Sequence, residues 1–187
     1  MLAGQGAVGD KFDAVGNFYG QARYAAAFSV GMYAAGFVTG DSWLRGTGIT
    51  LIQTLVSAGA LNLALKVVAG RSRPYLNSGN GDFHPFSWKE EFFSLPSGHA
   101  VVAFSLSSVL SSRINNTWCT VGLYTLAGVT AWSRLYSDDH WLSDVLLGSA
   151  FSTAIGIAAT RWYGSREEDS AFTIIPLPTG ILVCLRL

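Results

Sequence analysis

The chain has 187 residues, the length of a single domain (residues 1–187) that can bury a core without disulfides or metal. Half of the residues are apolar and 13% are charged, against about 25% in ordinary soluble domains, which favours a membrane protein. Twelve basic residues balance twelve acidic ones, so nothing indicates a nucleic-acid partner or a polybasic surface. No obligate protein partner is evident from the sequence either.

The cysteines and the N-terminus show no sign of a metal centre, a redox pair or a targeting signal. Cys119 and Cys184 lie far apart in apolar surroundings, and both are expected to be buried and inert. The first twenty residues lack the cationic start and continuous apolar run of a signal peptide, so either none was present or it has been removed.

Five apolar stretches follow along the chain, and their lengths favour helices over strands. The second and fifth are long enough to cross a hydrocarbon layer of about 30 Å, which takes roughly 20 helical residues. Small residues recur inside them and allow close helix packing. The expected fold is all-α, a bundle of five to six mostly membrane-spanning helices. The stretches are Tyr24 to Thr39, Gly48 to Ala69, Gly98 to Ser112, Trp118 to Ala131 and Trp141 to Tyr163.

The tryptophans and the polar connections fit this interpretation. All six tryptophans lie in loops or near segment ends, as in two interfacial belts, with rim positions of a soluble helical bundle as the alternative. The connection Gly70 to Pro96 carries prolines and turn clusters and is expected to be a structured loop. The tail, residues 164–187, is expected to form a short hairpin or an interfacial tail of unknown role.

In an up-and-down bundle, four segment ends rich in polar residues fall at one face. Lys66 stands in the last turn of the second segment, and Arg71 and Arg73 follow the segment. A charge cap at the helix C-terminus explains one such cation better than three. The third opens with Ser97, a natural N-cap, and Gly98, which lets a ligand approach helix N–H groups; ordinary helix initiation is the alternative.

The fourth segment ends in Ser133-Arg134, and the fifth begins with His140 and Asp144. Residues four apart are neighbours on a helix, so the Asp144 carboxylate is expected to accept a hydrogen bond from one His140 nitrogen and leave the other as a nucleophile. An isolated structural histidine–aspartate pair is the alternative interpretation.

Together these ends suit phosphoryl transfer. Three cations, an N–H-rich helix start and two histidines would face a phosphate monoester, which carries about −1.5 to −2 charges at neutral pH. The sequence shows no carboxylates clustered for Mg²⁺ or Zn²⁺, so a metal-free reaction without a cofactor is expected. Asp138 and Asp139 are interpreted as helix N-terminal caps rather than catalytic acids.

These motifs resemble the signature of the type 2 phosphatidic acid phosphatases, a family that also includes soluble bacterial acid phosphatases and vanadium haloperoxidases. The likeness is strong from Lys66 to Asp144, although Leu95 stands where many members carry an aromatic residue. The three matching motifs are Lys66 to Arg73-Pro74, Pro96 to His99, and Ser133-Arg134 with His140 and Asp144.

The resemblance implies a role for each site residue. His140 would attack phosphorus to form a phosphohistidine, Asp144 would fix its tautomer, and His99 would protonate the leaving alkoxide and later activate water. Arg71 would be a helper at the rim or a solvated loop cation. The phosphate oxygens would be bound by Lys66, Arg73, Arg134, Ser97 and the Gly98 amide.

The expected function is therefore hydrolysis of a lipid phosphate at a membrane bilayer, the substrate being phosphatidic acid, phosphatidylglycerol phosphate, an isoprenoid diphosphate or lipid A. Loop charges do not orient the chain, but the resemblance implies a multi-pass protein of the bacterial inner membrane with a periplasmic active site. One alternative is a soluble acid phosphatase or a haloperoxidase holding vanadate at the same site. Another is a non-enzymatic membrane scaffold or transporter that retains the anion site, which the paired histidines disfavour.

Overall fold

The computed structural model describes residues 6–169, 172–177 and 180–185. Within these ranges the chain forms six helices and one antiparallel hairpin, which confirms the all-α bundle with a short C-terminal hairpin. One helix lies in the N-terminal region, where the sequence showed no apolar segment. The elements are α1 Ala7–Tyr19, α2 Ala22–Thr39, α3 Ser42–Ala69, α4 Gly98–Ile114, α5 Thr117–Tyr136, α6 Leu142–Asp169, β1 Phe172–Leu177 and β2 Gly180–Leu185.

Local capping sets the helix boundaries. The Asp41 carboxylate accepts the first free N–H groups of α3, and the Asn116 amide oxygen does the same for α5. At the end of α3, Gly70 adopts φ 58°, and a Cβ there would lie 1.8 Å from the His84 carbonyl oxygen. Only glycine fits this turn, which leads the chain directly into the loop that carries Arg71 and Arg73.

Two of the described helices are long and apolar enough to cross a membrane. They cover Ser42–Ala69 and Leu142–Gly164, with mean hydropathy 1.6 and 1.5, and contain the second predicted segment and all of the fifth except Trp141. Only 17% and 28% of their most apolar windows are buried in the protein, whereas a core helix of a soluble domain would be mostly buried. Their exposed apolar faces suit contact with lipid.

Small side chains let the helices pack closely. Buried hydroxyl groups donate hydrogen bonds to backbone carbonyls of the preceding helical turn. Thr50, for example, donates to the carbonyl of Gly46. The predicted close approach holds at Gly156, where a Cβ would lie 2.0 Å from Ser108 Oγ on α4. The apolar core cluster comprises Ala25, Leu51, Val102, Leu106 and Val109.

Gly48 provides a test of the α2–α3 packing. A Cβ at this position would lie 2.4 Å from the backbone nitrogen of Tyr33, which cannot move without shifting α2. Gly48→Ala is therefore expected to destabilise the protein by about 1–3 kcal/mol. Gly31→Ala is the control, because a Cβ there meets nothing within 4 Å and alanine favours a helix. Thermal unfolding in detergent should show a lower midpoint for Gly48→Ala alone; equal midpoints would contradict the packing.

Two expectations about single side chains change with the structure. Cys119 is exposed in the first turn of α5, so the prediction that it is buried is wrong; Cys184 lies in β2, whose side chains fall outside the described part of the structure. Trp141 is half-buried and donates to the carbonyl of Ser72 at 2.9 Å, so it fixes a loop instead of facing the surface. The exposed tryptophans are Trp43, Trp88, Trp118, Trp132 and Trp162.

Candidate active site

The segment ends predicted to share one face do meet there. The backbone N–H of Ser97 donates to the carbonyl of Asp144 at 3.0 Å, which joins the start of α4 to the first turn of α6. Near the end of α3, the Lys66 ammonium donates to the carbonyl of Phe93 in the segment leading to α4. His99 lies within electrostatic range of Lys66 and of the site's arginines.

An aspartate joins the two arginines predicted to bind phosphate. Asp139 lies 3.6 Å from Arg73 Nη1 and 3.1 Å from Arg134 Nη1, through different carboxylate oxygens. Arg134 also lies 3.5 Å from Asp13 of α1. The interpretation of Asp139 as a helix cap is wrong, because α6 begins only at Leu142 and the carboxylate is engaged by the arginines. Asp139 instead holds two guanidinium groups together, where both can bind one anion.

Asp138 does not cap α6 either. It occupies the turn between α5 and α6 with φ 54°, a left-handed conformation that aspartate tolerates better than most residues. The first turn of α6 is closed instead by Asp144, whose carboxylate accepts from the N–H of Trp141 at 2.9 Å.

A backbone carbonyl orients the imidazole of His140. His140 is buried, and its Nδ1 lies 2.7 Å from the carbonyl oxygen of Ser94. Because a carbonyl oxygen can only accept, Nδ1 carries the proton and the neutral ring keeps its lone pair on Nε2. This is the tautomer that a nucleophilic histidine requires.

Asp144 does not make the direct hydrogen bond that the spacing predicted. Its Oδ2 lies 3.9 Å from His140 Nδ1, too far for a hydrogen bond. That oxygen is occupied by the Ser94 hydroxyl at 2.6 Å and by the N–H of Trp141. Asp144 therefore acts on His140 through Ser94, which donates its hydroxyl to Asp144 and accepts from His140 with its carbonyl.

Arg71 is a structural partner of this group, not a solvated loop cation. It is only 7% exposed, and its Nη1 donates to Asp144 Oδ1 and to Ser143 Oγ, both at 2.6 Å. Its Nε and Nη2 donate to the carbonyl of Asn80 at 3.0 and 2.6 Å. The guanidinium thus ties the first turn of α6 to the long loop. The rings of Phe83 and Trp141 each lie 5.5 Å from it.

Three buried polar atoms of the predicted site have no hydrogen-bond partner within the described ranges: Arg73 Nε, Ser97 Oγ and His99 Nε2. Buried polar atoms are normally paired, so each leaves capacity for a ligand. Ser97 stands at the predicted N-cap of α4, but its hydroxyl does not cap the helix. The first N–H groups of α4, beginning with Gly98, lack acceptors within the helix and favour an anion.

The surroundings of His140 keep its imidazole neutral. Burial lowers the pKa of His140 well below its usual value near 6.5, and the charges of Lys66 and Arg73 lower it further. The bond to the Ser94 carbonyl opposes this shift only in part. At neutral pH the Nε2 lone pair is therefore available.

The lowered pKa of His140 has a consequence for stability. As pH falls below about 6.5, His140 of an unfolded chain binds a proton, whereas the buried imidazole of the folded chain stays neutral. The free energy of unfolding therefore decreases. One such group contributes at most about 1.4 kcal/mol per pH unit. Thermal midpoints measured from about pH 7.5 to about pH 5.5 should fall less steeply for His140→Gln than for the wild type. Parallel curves would show that His140 is not held neutral.

Comparison with known proteins then places the chain in a family. Residues 47–168 match the model of the PAP2 superfamily. The chain belongs to the PAP2 superfamily. All three predicted motifs lie inside the matched range.

One relative and one solved structure show how far the likeness of this PAP2 superfamily member extends. A lipid A 1-phosphatase of Porphyromonas gingivalis is 32% identical over 111 residues, which are 58% of this chain and 21% of that protein. The chain thus spans about one fifth of the length of this curated relative. The crystal structure of Aquifex aeolicus LpxE matches 86% of this chain and 99% of its own with a TM-score of 0.54. At 18% identity, that match shows a shared fold.

Proposed function

We propose that this PAP2 superfamily protein is a lipid phosphatase that works through a phosphohistidine on His140. The observation that carries the proposal is the state of His140, a buried imidazole whose proton is fixed on Nδ1 by a carbonyl while cations surround it. Surrounding cations would not help a histidine whose role is structural. For a histidine that attacks a phosphate dianion, the same cations keep the Nε2 lone pair free and bind the substrate.

In the first step, the Nε2 lone pair of His140 attacks phosphorus and the phosphorus–oxygen ester bond breaks. His99 takes up a proton as the phosphate dianion binds, and its Nε2 gives that proton to the leaving alkoxide, which departs as the lipid alcohol. His140 becomes a phosphorylated imidazolium, and the Ser94 carbonyl on Nδ1–H, backed by Asp144, stabilises its positive charge.

In the second step, neutral His99 takes a proton from water while the water oxygen attacks phosphorus. The phosphorus–nitrogen bond breaks, inorganic phosphate leaves, and both histidines return to their starting states. In both steps the equatorial oxygens would be held by Lys66, Arg73, Arg134, Ser97 and the Gly98 N–H. Losing one such preorganised donor commonly costs about 2.7–4 kcal/mol of barrier. The steps require no metal or other cofactor.

A membrane location supports a lipid as the substrate. Two of the described helices are long and apolar enough to span a bilayer, and the loop that carries Arg71 also presents the exposed side chains of Phe86 and Trp88. Aromatic side chains of this kind favour the headgroup level. We place the protein in a bacterial inner membrane with this loop and the site at the periplasmic face, in keeping with a relative named for lipid A.

The proposal is tested by phosphate release from detergent-purified protein with a chelator present. The substrates are phosphatidic acid, phosphatidylglycerol phosphate, undecaprenyl diphosphate, lipid A and a soluble ester. Quenching a reaction with ³²P-labelled substrate should trap label on the protein in an acid-labile, alkali-stable form, as phosphohistidine requires. Halide oxidation with added vanadate and no phosphate release would favour a haloperoxidase, and anion binding without turnover would favour a scaffold.

The role of His99 predicts a dependence on the leaving group. A lipid alkoxide needs a proton as it departs, whereas p-nitrophenolate leaves without one. His99→Asn is therefore expected to lower kcat on the lipid by about 10²–10⁴-fold and to lower kcat on p-nitrophenyl phosphate much less. The two substrates serve as controls for each other on one variant. Equal losses on both would mean that His99 does not act as the acid.

A further inference from the structure

An apolar groove of about 420 Å³ lies beside the site, between α2, α3 and α4. Small and aliphatic side chains form most of its wall, including Ala26, Leu55 and Val102. Gly98 and His99 belong both to this wall and to the candidate active site. The groove therefore adjoins the proposed phosphate position at His99, the proposed general acid.

The occupant of the groove follows from the role of His99, and this step rests on the proposed function. A general acid must contact the oxygen that leaves phosphorus. The rest of the leaving group is bonded to that oxygen, so it extends past His99 into the groove. The apolar wall then contacts the part of the lipid that departs as the alcohol.

Asn62 is a polar exception in this wall. Its Oδ1 is buried and has no hydrogen-bond partner within the described ranges. On the other side of its amide, Nδ2 lies 3.6 Å from the position that a Cβ on Gly98 would take. A buried acceptor without a partner is costly, and a ligand that brings a donor removes that cost.

The position of Asn62 on α3 sets how far that donor lies from phosphate. Asn62 precedes Lys66 by four residues, so the two side chains occupy one helix face, about 6 Å apart. Lys66 is placed at the phosphate oxygens. A group that reaches Asn62 is therefore only a few bonds away from the scissile oxygen, on the leaving-group side.

We propose that Asn62 selects lipid phosphates whose leaving group carries a hydrogen-bond donor on the carbon next to the ester carbon. An N-acylated glucosamine 1-phosphate has an amide N–H at that carbon, and phosphatidylglycerol phosphate has a hydroxyl. Phosphatidic acid has an ester oxygen there, which cannot donate. The subsite thus divides lipid phosphates by one polar group beside the phosphate, while the apolar wall tolerates varied chains.

The test compares kcat/KM for an N-acylated glucosamine 1-phosphate lipid with kcat/KM for phosphatidic acid. Asn62→Leu is expected to lower this ratio about tenfold or more, because the acceptor for the N–H is gone. Thr54→Val is the matched control, since it also removes a buried unpartnered oxygen from α3, but outside the groove wall. The wild type and Thr54→Val should share one ratio. Phosphatidylglycerol phosphate is measured as a third substrate to distinguish the two donors. If the hydroxyl is the donor, only the kcat/KM for that lipid falls relative to phosphatidic acid.

Ratios to phosphatidic acid that stay unchanged for both donor-bearing lipids, in Asn62→Leu and in the smaller Asn62→Ala, would overturn the subsite. Failure of the proposed function is a different result, with no phosphate released from any lipid by the wild type. In that case the groove is tested without turnover, by native mass spectrometry of the His140→Ala protein with the dephosphorylated lipids. Preference for the donor-bearing alcohol that disappears in His140→Ala/Asn62→Leu supports the subsite, and equal binding of both alcohols contradicts it.

Discussion

The His140→Ala variant is expected to lose phosphate release by a factor on the order of 10⁴ or more, because the atom that attacks phosphorus is removed. Neither of its described neighbours Ser94 and Asp144 can replace it. Ser94 contributes a carbonyl oxygen that is already committed to orientation, and Asp144 is engaged by Arg71, Ser94 and Trp141. The measurement is single-turnover release of phosphate from a labelled lipid, which reports the chemical step directly.

Binding should survive in the same variant. The cations and the unpartnered donors remain, so the affinity for inorganic phosphate or vanadate is expected to change only a few-fold. His140 acts in the transition state, whereas these groups bind the anion in the ground state. A variant that loses both turnover and binding would point to a collapsed site. Turnover within tenfold of the wild type would exclude His140 as the nucleophile.

His84→Ala is the control for removing a histidine. His84 lies in the same long loop, where it contacts Asp82 at 3.1 Å and stacks on Phe92 with ring centroids 4.0 Å apart. Its side chain is exposed, whereas that of His140 is buried. The phosphohistidine label should therefore persist in His84→Ala and be absent from His140→Ala.

The sequence could predict the gathering of the site because that depends on length and order alone. Apolar runs of helical length alternate in direction through a bundle, so the ends that carry Lys66, Ser97, Arg134 and His140 must share a face. The N-terminal helix was harder to predict. Its residues Ala7–Tyr19 form no continuous apolar run, and its stability comes from packing on α5, where Gly16 contacts Ser133 too closely for any larger residue.

The orienting group of His140 could not be found from sequence. A backbone carbonyl is present in every residue, so the identity of residue 94 does not indicate that its carbonyl accepts from His140. The helical spacing did place Asp144 near His140, but spacing does not show which other donors compete for the carboxylate. The Ser94 hydroxyl, not His140, donates to the Asp144 carboxylate because the loop before α4 passes directly over the first turn of α6.

The partners of Arg71 and Asp139 depend in the same way on the fold of loops. Arg71 is drawn inward because the long loop folds back, with a bridge between Arg71 and Phe83, and brings the Asn80 carbonyl to its guanidinium. Asp139 meets Arg73 only because the ends of α3 and α5 converge. The sequence predicted a helper at the rim or a solvated cation in one case and a helix cap in the other.

Arg71→Met is expected to destabilise the protein by about 3–5 kcal/mol, because it leaves the buried carboxylate of Asp144 without its cation. Activity should fall as well, by tenfold or more in kcat with a smaller change in KM. Without Arg71, Asp144 and the Ser94 segment can shift and carry His140 with them. Even a small displacement of this nucleophile lowers the rate strongly. Thermal unfolding and steady-state kinetics on one preparation measure the two effects together.

Arg71→Lys separates charge from geometry. The ammonium keeps the positive charge, but it cannot reproduce the planar fork that serves Asp144, Ser143 and the Asn80 carbonyl at once. It should recover part of the stability and less of kcat. Arg23→Met is the matched control, because Arg23 is exposed and lies over the ring of Tyr24 on α2, and its loss should change stability by no more than about 0.5 kcal/mol.

The pairing itself is tested by combining Arg71→Met with Asp144→Asn. If the two side chains stabilise each other, the double variant should lose less free energy of unfolding than the sum of the single losses, since only the single variants leave a buried charge alone. Additive losses would mean that the 2.6 Å contact contributes no coupling. Catalysis should not recover in the double variant, because Asp144 also holds the Ser94 hydroxyl, and through Ser94 it fixes the proton on His140.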